Sequence, residues 1–210
     1  MANLAIGRMV LGAFETNCYF IYDKDTKNAL VFDPGKGGEQ VCAKLRENGI
    51  EPCAVMLTHG HFDHIMGVNE LLETAGIKLY ALDKEDALCR DPKLNESQQI
   101  RRPYTVSPDV LLTDGEEFEI AGIKGKIIAT PGHTAGSCCY YFEEDKFLIT
   151  GDTLFAGSIG RTDLATGSET EIIKSVHKLL DMIPDDVKVY PGHGDASSIG
   201  EERRYNPFFA

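Results

Sequence analysis

The stretch THGHFDH, Thr58 to His64, places His59, His61, Asp63 and His64 within six residues. A neutral imidazole nitrogen binds divalent metals and a carboxylate adds a charged oxygen, so a His/Asp cluster can grip zinc or iron where isolated residues cannot. The spacing suits that use. His59 and His61 leave a loop directly after the apolar run CAVML, and Asp63 and His64 open the helix that follows, so one turn presents four ligands. Three further groups follow other apolar runs: His133 in ATPGHTAGS, Asp152 in LITGDTLF and His193 in VYPGHGD, each among glycines that let main chain approach closely. Five of the six histidines lie in these loops. The sixth, His177, stands among Lys174, Lys178 and Asp181 and reads as solvated or packed on a helix. A lone loop histidine usually only hydrogen-bonds, but a whole set of ligand types recurring at strand ends points to a metal site.

Holding those loops together takes strands and helices in alternation. CYFIYD from Cys18 and NALVFDPG from Asn28 read as strands joined at DKDTKN. A helix is expected from Gly38 to Asn48, with Val41, Leu45 and Cys42 on one face and Gly49 as its stop. Strand CAVMLTH, a helix from Asp63 to Thr74 closed by Gly76, and strand KLYAL from Lys78 continue the pattern. NESQQIRRPYTVSPDV is polar and punctuated by proline, whereas Leu111 to Phe147 offers β-like runs with turns at TDGEE, AGIKG and FEEDK. Ser168 to Met182 reads as a last helix, its Ser168 cap and Glu171 forming a capping box over a stripe of Ile172, Val176, Leu179 and Leu180. VKVYPGHG is one more strand before a short tail. With no repeat, linker or shift in composition, residues 1–210 are expected to form one α/β domain with mixed sheets.

Composition narrows the function classes. The chain is 42% hydrophobic and 26% charged, ordinary for a globular protein. A formal charge of -12 opposes a phosphate backbone, whose binding depends on Lys and Arg, so nucleic acid is not an expected partner. No segment has the length to span a bilayer, and Gly, Arg and Glu interrupt the N-terminal apolar residues, unlike a secretory signal. A cytoplasmic location is expected, with the six cysteines free and mostly buried. Cys138 and Cys139, adjacent on a strand, should face opposite sides and serve packing. The glycines of DPGKGG lack a P-loop's GK[ST] ending, so phosphate cradling is not expected.

THGHFDH, PGHTAGS, TGDTLF and YPGHG, in this order, resemble the metallo-β-lactamase fold superfamily over nearly the whole chain, and DPG at Asp33 to Gly35 is similar to its glyoxalase II-like branch. The resemblance implies an αββα sandwich: two mixed β-sheets face to face, helices outside, and metals in a cleft along one edge. It implies two divalent ions, zinc first with iron or manganese also accepted. His59, His61 and His133 would hold one ion and Asp63, His64 and His193 the other, with Asp152 bridging. Asp63 and Asp152 would be the catalytic carboxylates, and Asp33 would steady a ligand loop or simply make a turn. Glyoxalase II proper carries a Lys and a Tyr for glutathione in the region where this chain has Arg161 and no Tyr. It also continues into a helical segment where only seventeen residues follow His193 here.

Two metals about 3.5–4 Å apart can share a water and lower its pKa towards neutrality, which suits attack on a carbonyl. The expected reaction is hydrolysis of a small-molecule thioester of the S-lactoylglutathione type, with Arg161 binding a substrate carboxylate or anchoring its loop. The lactamases most similar in motif use Cys where Asp152 stands, which favours the thioesterase side. The alternative is an oxidoreductase resembling persulfide dioxygenases, with one iron on His59, His133 and Asp152.

Overall fold

The computed structural model describes residues 3–209. Its first half runs β1 (Leu4–Leu11), β2 (Thr16–Asp23), β3 (Asn28–Phe32), α1 (Gly38–Glu47), β4 (Glu51–Met56), α2 (Phe62–Ile65), α3 (Val68–Ala75), β5 (Lys78–Leu82), α4 (Asp86–Cys89) and β6 (Val110–Leu112). The second runs β7 (Glu117–Ile120), β8 (Ile123–Ala129), β9 (Cys138–Phe142), β10 (Phe147–Gly151), β11 (Leu154–Phe155), β12 (Ser158–Ile159), α5 (Glu169–Met182), β13 (Lys188–Pro191), β14 (Ser197–Ser198) and α6 (Ile199–Tyr205). One sheet has the order β1-β2-β3-β4-β5-β6 and the other β14-β13-β10-β9-β8-β7. Both are mixed: β3 to β6 are parallel beside an antiparallel β1-β2-β3 edge, and β10 pairs parallel with β13 alone.

The side-chain period of a strand decides what lies between the sheets. On β9, Cys138, Tyr140 and Phe142 face inward with Ala54 and Met56 of β4, while Cys139 and Tyr141 face outward with Ile172, Val176 and Leu179 of α5. The two adjacent cysteines thus point to opposite faces, as expected, and all six are free. The outer face of the first sheet packs Val31 and Val55 against Val41 and Leu45 of α1 and Leu71 of α3. Strands covered on both sides read as nearly continuous apolar runs. The result is the αββα sandwich, and among the described residues no helix is long and apolar enough to cross a membrane.

Strand direction explains why the loops meet. β3 and β4 run parallel, so Asp33 and the His59 loop emerge at the same end. In the other sheet β8 is antiparallel to β9, β9 to β10, and β10 parallel to β13; the loops carrying His133, Asp152 and His193 therefore also leave one end. Cross-links hold the two ends together: Tyr140 Oη donates to Leu57 O at 2.8 Å, and Cys138 N to Thr58 O at 2.9 Å.

Three expectations need correction. The helix expected from Asp63 to Thr74 is two, α2 and α3, broken at Gly67. There the main chain meets the DPG loop: Gly67 N donates to Pro34 O at 2.8 Å, and a Cβ on Gly67 would lie 2.6 Å from that oxygen. Close approach overrides helical periodicity. The N-terminal residues, read only as lacking a signal, form the edge strand β1. The tail also folds, as β14 and α6. Ser198 caps α6 by accepting from Glu201 N, and buried Glu202 accepts from Gly157 N at 2.9 Å.

Tyr140→Phe deletes one buried cross-link without opening a cavity. Chemical denaturation should report a loss of about 1 kcal/mol, the usual net worth of such a bond; unchanged stability would mean that Tyr140 is held by its ring alone.

Candidate metal centre

Seven side chains from four loops arrive in one place. His61 Nδ1 lies 2.9 Å from His133 Nε2, and donor atoms of His59, His61 and His133 all fall within 4.8 Å of one another. A second set, Asp63, His64 and His193, meets the same limit. Within it, His193 Nε2 is 3.2 Å from Asp63 Oδ2 and 3.3 Å from His64 Nε2. Asp152 stands between them. Its Oδ1 is 3.5 Å from His64 Nε2, and its Oδ2 is 3.6 Å from both His133 Nε2 and His193 Nε2. His193, with a side chain 29% exposed, is the most open of the group, so the centre meets solvent on its side.

The surrounding protein aims these rings. His133 Nδ1 lies 2.8 Å from the carbonyl of Arg161, which only accepts; Nδ1 therefore carries the hydrogen and Nε2 is a bare donor atom. Thr58 Oγ1 gives its hydrogen to Asp33 Oδ2 at 2.6 Å and so receives one from His59 Nδ1 at 3.1 Å, which leaves His59 Nε2 bare as well. His64 Nδ1 is 3.1 Å from Asp33 Oδ2. Fixing one ring nitrogen so that the other faces a metal is the usual outer-sphere arrangement. Asp33 thus steadies the ligand loop, accepting also from Thr58 N at 2.8 Å.

The donor set fits divalent metal ions. His59 Nε2, His61 Nε2 and Asp152 Oδ1 are buried and lack any hydrogen-bond partner among the described residues, a costly condition for polar atoms unless a ligand satisfies them. The electrostatics agree. Burial, reinforced by neighbouring imidazoles, pushes His59 well below the usual histidine range and His61 to about 3, keeping both neutral for coordination. Burial would raise Asp63, but His64 and His193 outweigh it and hold the carboxyl well below its ordinary value. The same balance inverts at His64, where Asp63, Asp152 and Asp33 overcome desolvation and raise the ring to about 10. Positive charge is wanted there.

For Arg161 the sequence offers two roles, binding a substrate carboxylate or anchoring its loop. Its guanidinium is exposed and forks onto Asp163 at 2.7 Å and 2.7 Å, while its main chain is what reaches the centre through His133. Several contributors escaped the sequence. Asn17 at the start of β2 donates from Nδ2 to Pro191 O and Gly194 O at 2.9 Å each, and from its main chain to Gly192 O at 2.7 Å, fixing the loop of His193. Nothing in the sequence separates such an Asn from any other polar residue opening a strand.

An αββα sandwich whose strand ends converge on such a donor set is the architecture of a metal-dependent hydrolase. The chain belongs to the metallo-beta-lactamase superfamily, whose sequence pattern matches residues 11–193. It is 36% identical to "Probable metallo-hydrolase YqgX" of Bacillus subtilis over 203 residues, covering 96% of this chain and 95% of that protein. It is 34% identical to "Hydroxyacylglutathione hydrolase GloC" of Haemophilus influenzae over 202 residues, 93% of each. Among solved structures, that of BLEG-1 B3 metallo-beta-lactamase superposes with a TM-score of 0.93 at 38% identity, covering 98% of this chain and 100% of that one.

Two outcomes test this geometry. A Cβ on Gly192 would lie 2.2 Å from Asp152 Oδ1 and 2.7 Å from His64 Cε1, so Gly192→Ala should displace that carboxylate and weaken metal binding by tenfold or more in chelator competition; wild-type affinity would show that the loop shifts freely. The second concerns pH. Because His64 is raised from 6.5 to about 10 in the fold, its stabilisation of metal-free protein is complete below about pH 6.5 and drains away as pH climbs to 10. The melting-temperature gap between metal-loaded and metal-free protein should widen from pH 7 to 10, and a constant gap would contradict a charged His64.

Proposed function

We propose that this protein is a binuclear metal-dependent hydrolase that cleaves thioesters of the S-lactoylglutathione type. The observation that carries the reading is the presence of two complete donor sets with Asp152 facing both. His59, His61 and His133 would hold one ion and Asp63, His64 and His193 the other. Zinc is the first candidate, with iron or manganese also suited to His/Asp ligands. When bound, such a pair supplies a water of near-neutral pKa and positive charge for the oxygen of the carbonyl under attack.

The chain's own residues supply the rest. Asp152 and Asp63 offer carboxylate oxygens that orient the attacking water and accept its hydrogen bonds. A thiolate, with free cysteine titrating near 8.5, leaves without much help from a general acid. That matches a centre whose imidazoles are all ligands. A thiol nucleophile has no place in the scheme: burial raises both thiols well above the usual cysteine range, Cys139 to about 12. At the rim, the Arg161–Asp163 pair is exposed and screened by solvent, so a substrate carboxylate can exchange for Asp163 at little cost. The kinship with GloC of Haemophilus influenzae, named a hydroxyacylglutathione hydrolase, supports the substrate class. Six free cysteines suit a reducing cytoplasm, and the formal charge of -12 suits a small-molecule substrate rather than nucleic acid.

A second reading, hydrolysis of a β-lactam amide, is favoured by the 38% identity to BLEG-1. Elemental analysis of purified protein alongside turnover of S-lactoylglutathione, other thioesters and a chromogenic cephalosporin separates the possibilities. Two ions per chain and thioester cleavage are expected. Turnover of the cephalosporin alone would favour the lactamase reading, and one iron with oxygen uptake on a persulfide would favour the oxidoreductase. Asp152→Ala should lose bound metal and activity together; a variant that kept both ions would contradict its bridging role.

A further inference from the structure

Glu85, in the turn between β5 and α4, belongs to none of the donor sets above and is only 1% exposed. Its Oε1 accepts from Gly60 N at 2.8 Å and from Thr134 Oγ1 at 2.9 Å, while its Oε2 lies 3.0 Å from the same hydroxyl. Gly136 N donates to it as well, and a Cβ on Gly136 would sit 2.4 Å from Oε2. Gly60 lies between His59 and His61, and Thr134 follows His133. One carboxylate therefore clasps the turn between His59 and His61 to the loop of His133, reaching across the gap between the sheets.

A buried carboxyl without a cationic partner is expensive, and no ion pair among the described residues includes Glu85. A single donor could be satisfied by an amide or hydroxyl. Three donors converging from two loops call for two acceptor oxygens in one plane, which only a carboxylate provides. The other donor set has fastenings of its own, Thr16 at Asp63 and Asn17 at the loop of His193, while Asp33 reaches both sets, at His64 directly and at His59 through Thr58.

We infer that Glu85 is a positioning residue for one ion of the pair, locking the His59–His61 loop to the His133 loop so that their nitrogens converge, while Thr16 and Asn17 fasten the groups of the neighbouring ion. This rests on the two-ion reading proposed above. Full-length Glu85→Gln keeps the shape but has one acceptor oxygen, and its amide group would face a donor.

The test loads wild type and E85Q with Zn2+ and titrates each against a chelator, counting ions per chain. Wild type should retain two ions at a chelator concentration where E85Q retains one, with affinity for the lost ion down by about tenfold or more. On refilling, the histidine ring N–H signals that shift should belong to His59, His61 and His133. In metal-free E85Q the Gly60 and Gly136 amides should exchange faster. Equal affinities in the two proteins, or both ions weakened alike, would overturn the inference. Should E85Q fail to fold, Thr134→Val removes one donor and must show the same selective weakening. A wild type holding a single ion would contradict the two-ion reading instead, and the inference would then be decided by whether E85Q weakens that ion.

Discussion

Three carboxylates, those of Asp33, Asp63 and Asp152, crowd the fully buried imidazole of His64. Negative charge gathered inside a protein must be balanced, because Coulomb attraction and desolvation both grow as the local dielectric falls. Much of the surrounding structure is explained by that demand. Main-chain and hydroxyl donors of Thr58 engage Asp33, the imidazoles of His59 and His61 are held neutral in the adjacent set, and the Arg161 guanidinium at the rim is taken up by Asp163. A divalent ion answers the demand better than a proton on His64, since it can share several oxygens and nitrogens at once.

That charge concentration is tolerable only because the sandwich is rigid where the loops begin. Each ligand loop starts at the end of a strand covered on both faces, so its first residue inherits the position of a packed core. Leu57 O, held by Tyr140, and Thr58 O, held by Cys138 N, join the two sheets at the root of the loop carrying His59. Precision at the centre is therefore a property of the interior, transmitted over one or two residues of loop.

The candidate ligands were legible in the sequence because metal chemistry accepts few residue types, and these all stand close after apolar runs. His59, His61, Asp63, His64, His133, Asp152 and His193 all meet. Helix α5 was readable for a similar reason: Ser168 accepts from Glu171 N, and the stripe from Ile172 to Leu180 is buried. What escaped was set by contacts distant in sequence. The break at Gly67 depends on Pro34 passing close by, and α6 is a charged segment whose burial comes from Glu202 reaching Gly157. The orientation of Arg161 depended on Asp163, two residues away, and no spacing rule distinguishes a cation aimed at a ligand from one folded back on its neighbour.

Kinship to proteins named a hydroxyacylglutathione hydrolase and a B3 metallo-beta-lactamase shows how little of the centre need differ between leaving groups. The grip of the C-terminal helix adds a temporal aspect. Asn206 Nδ2 donates to Ser158 O and Glu202 accepts from Gly157 N, so the wall beside Asp152 is fastened by residues that follow every histidine of the centre in the chain. A nascent chain therefore presents all five clustered histidines before that wall is fastened, so closure of the wall comes after synthesis of the side chains it encloses.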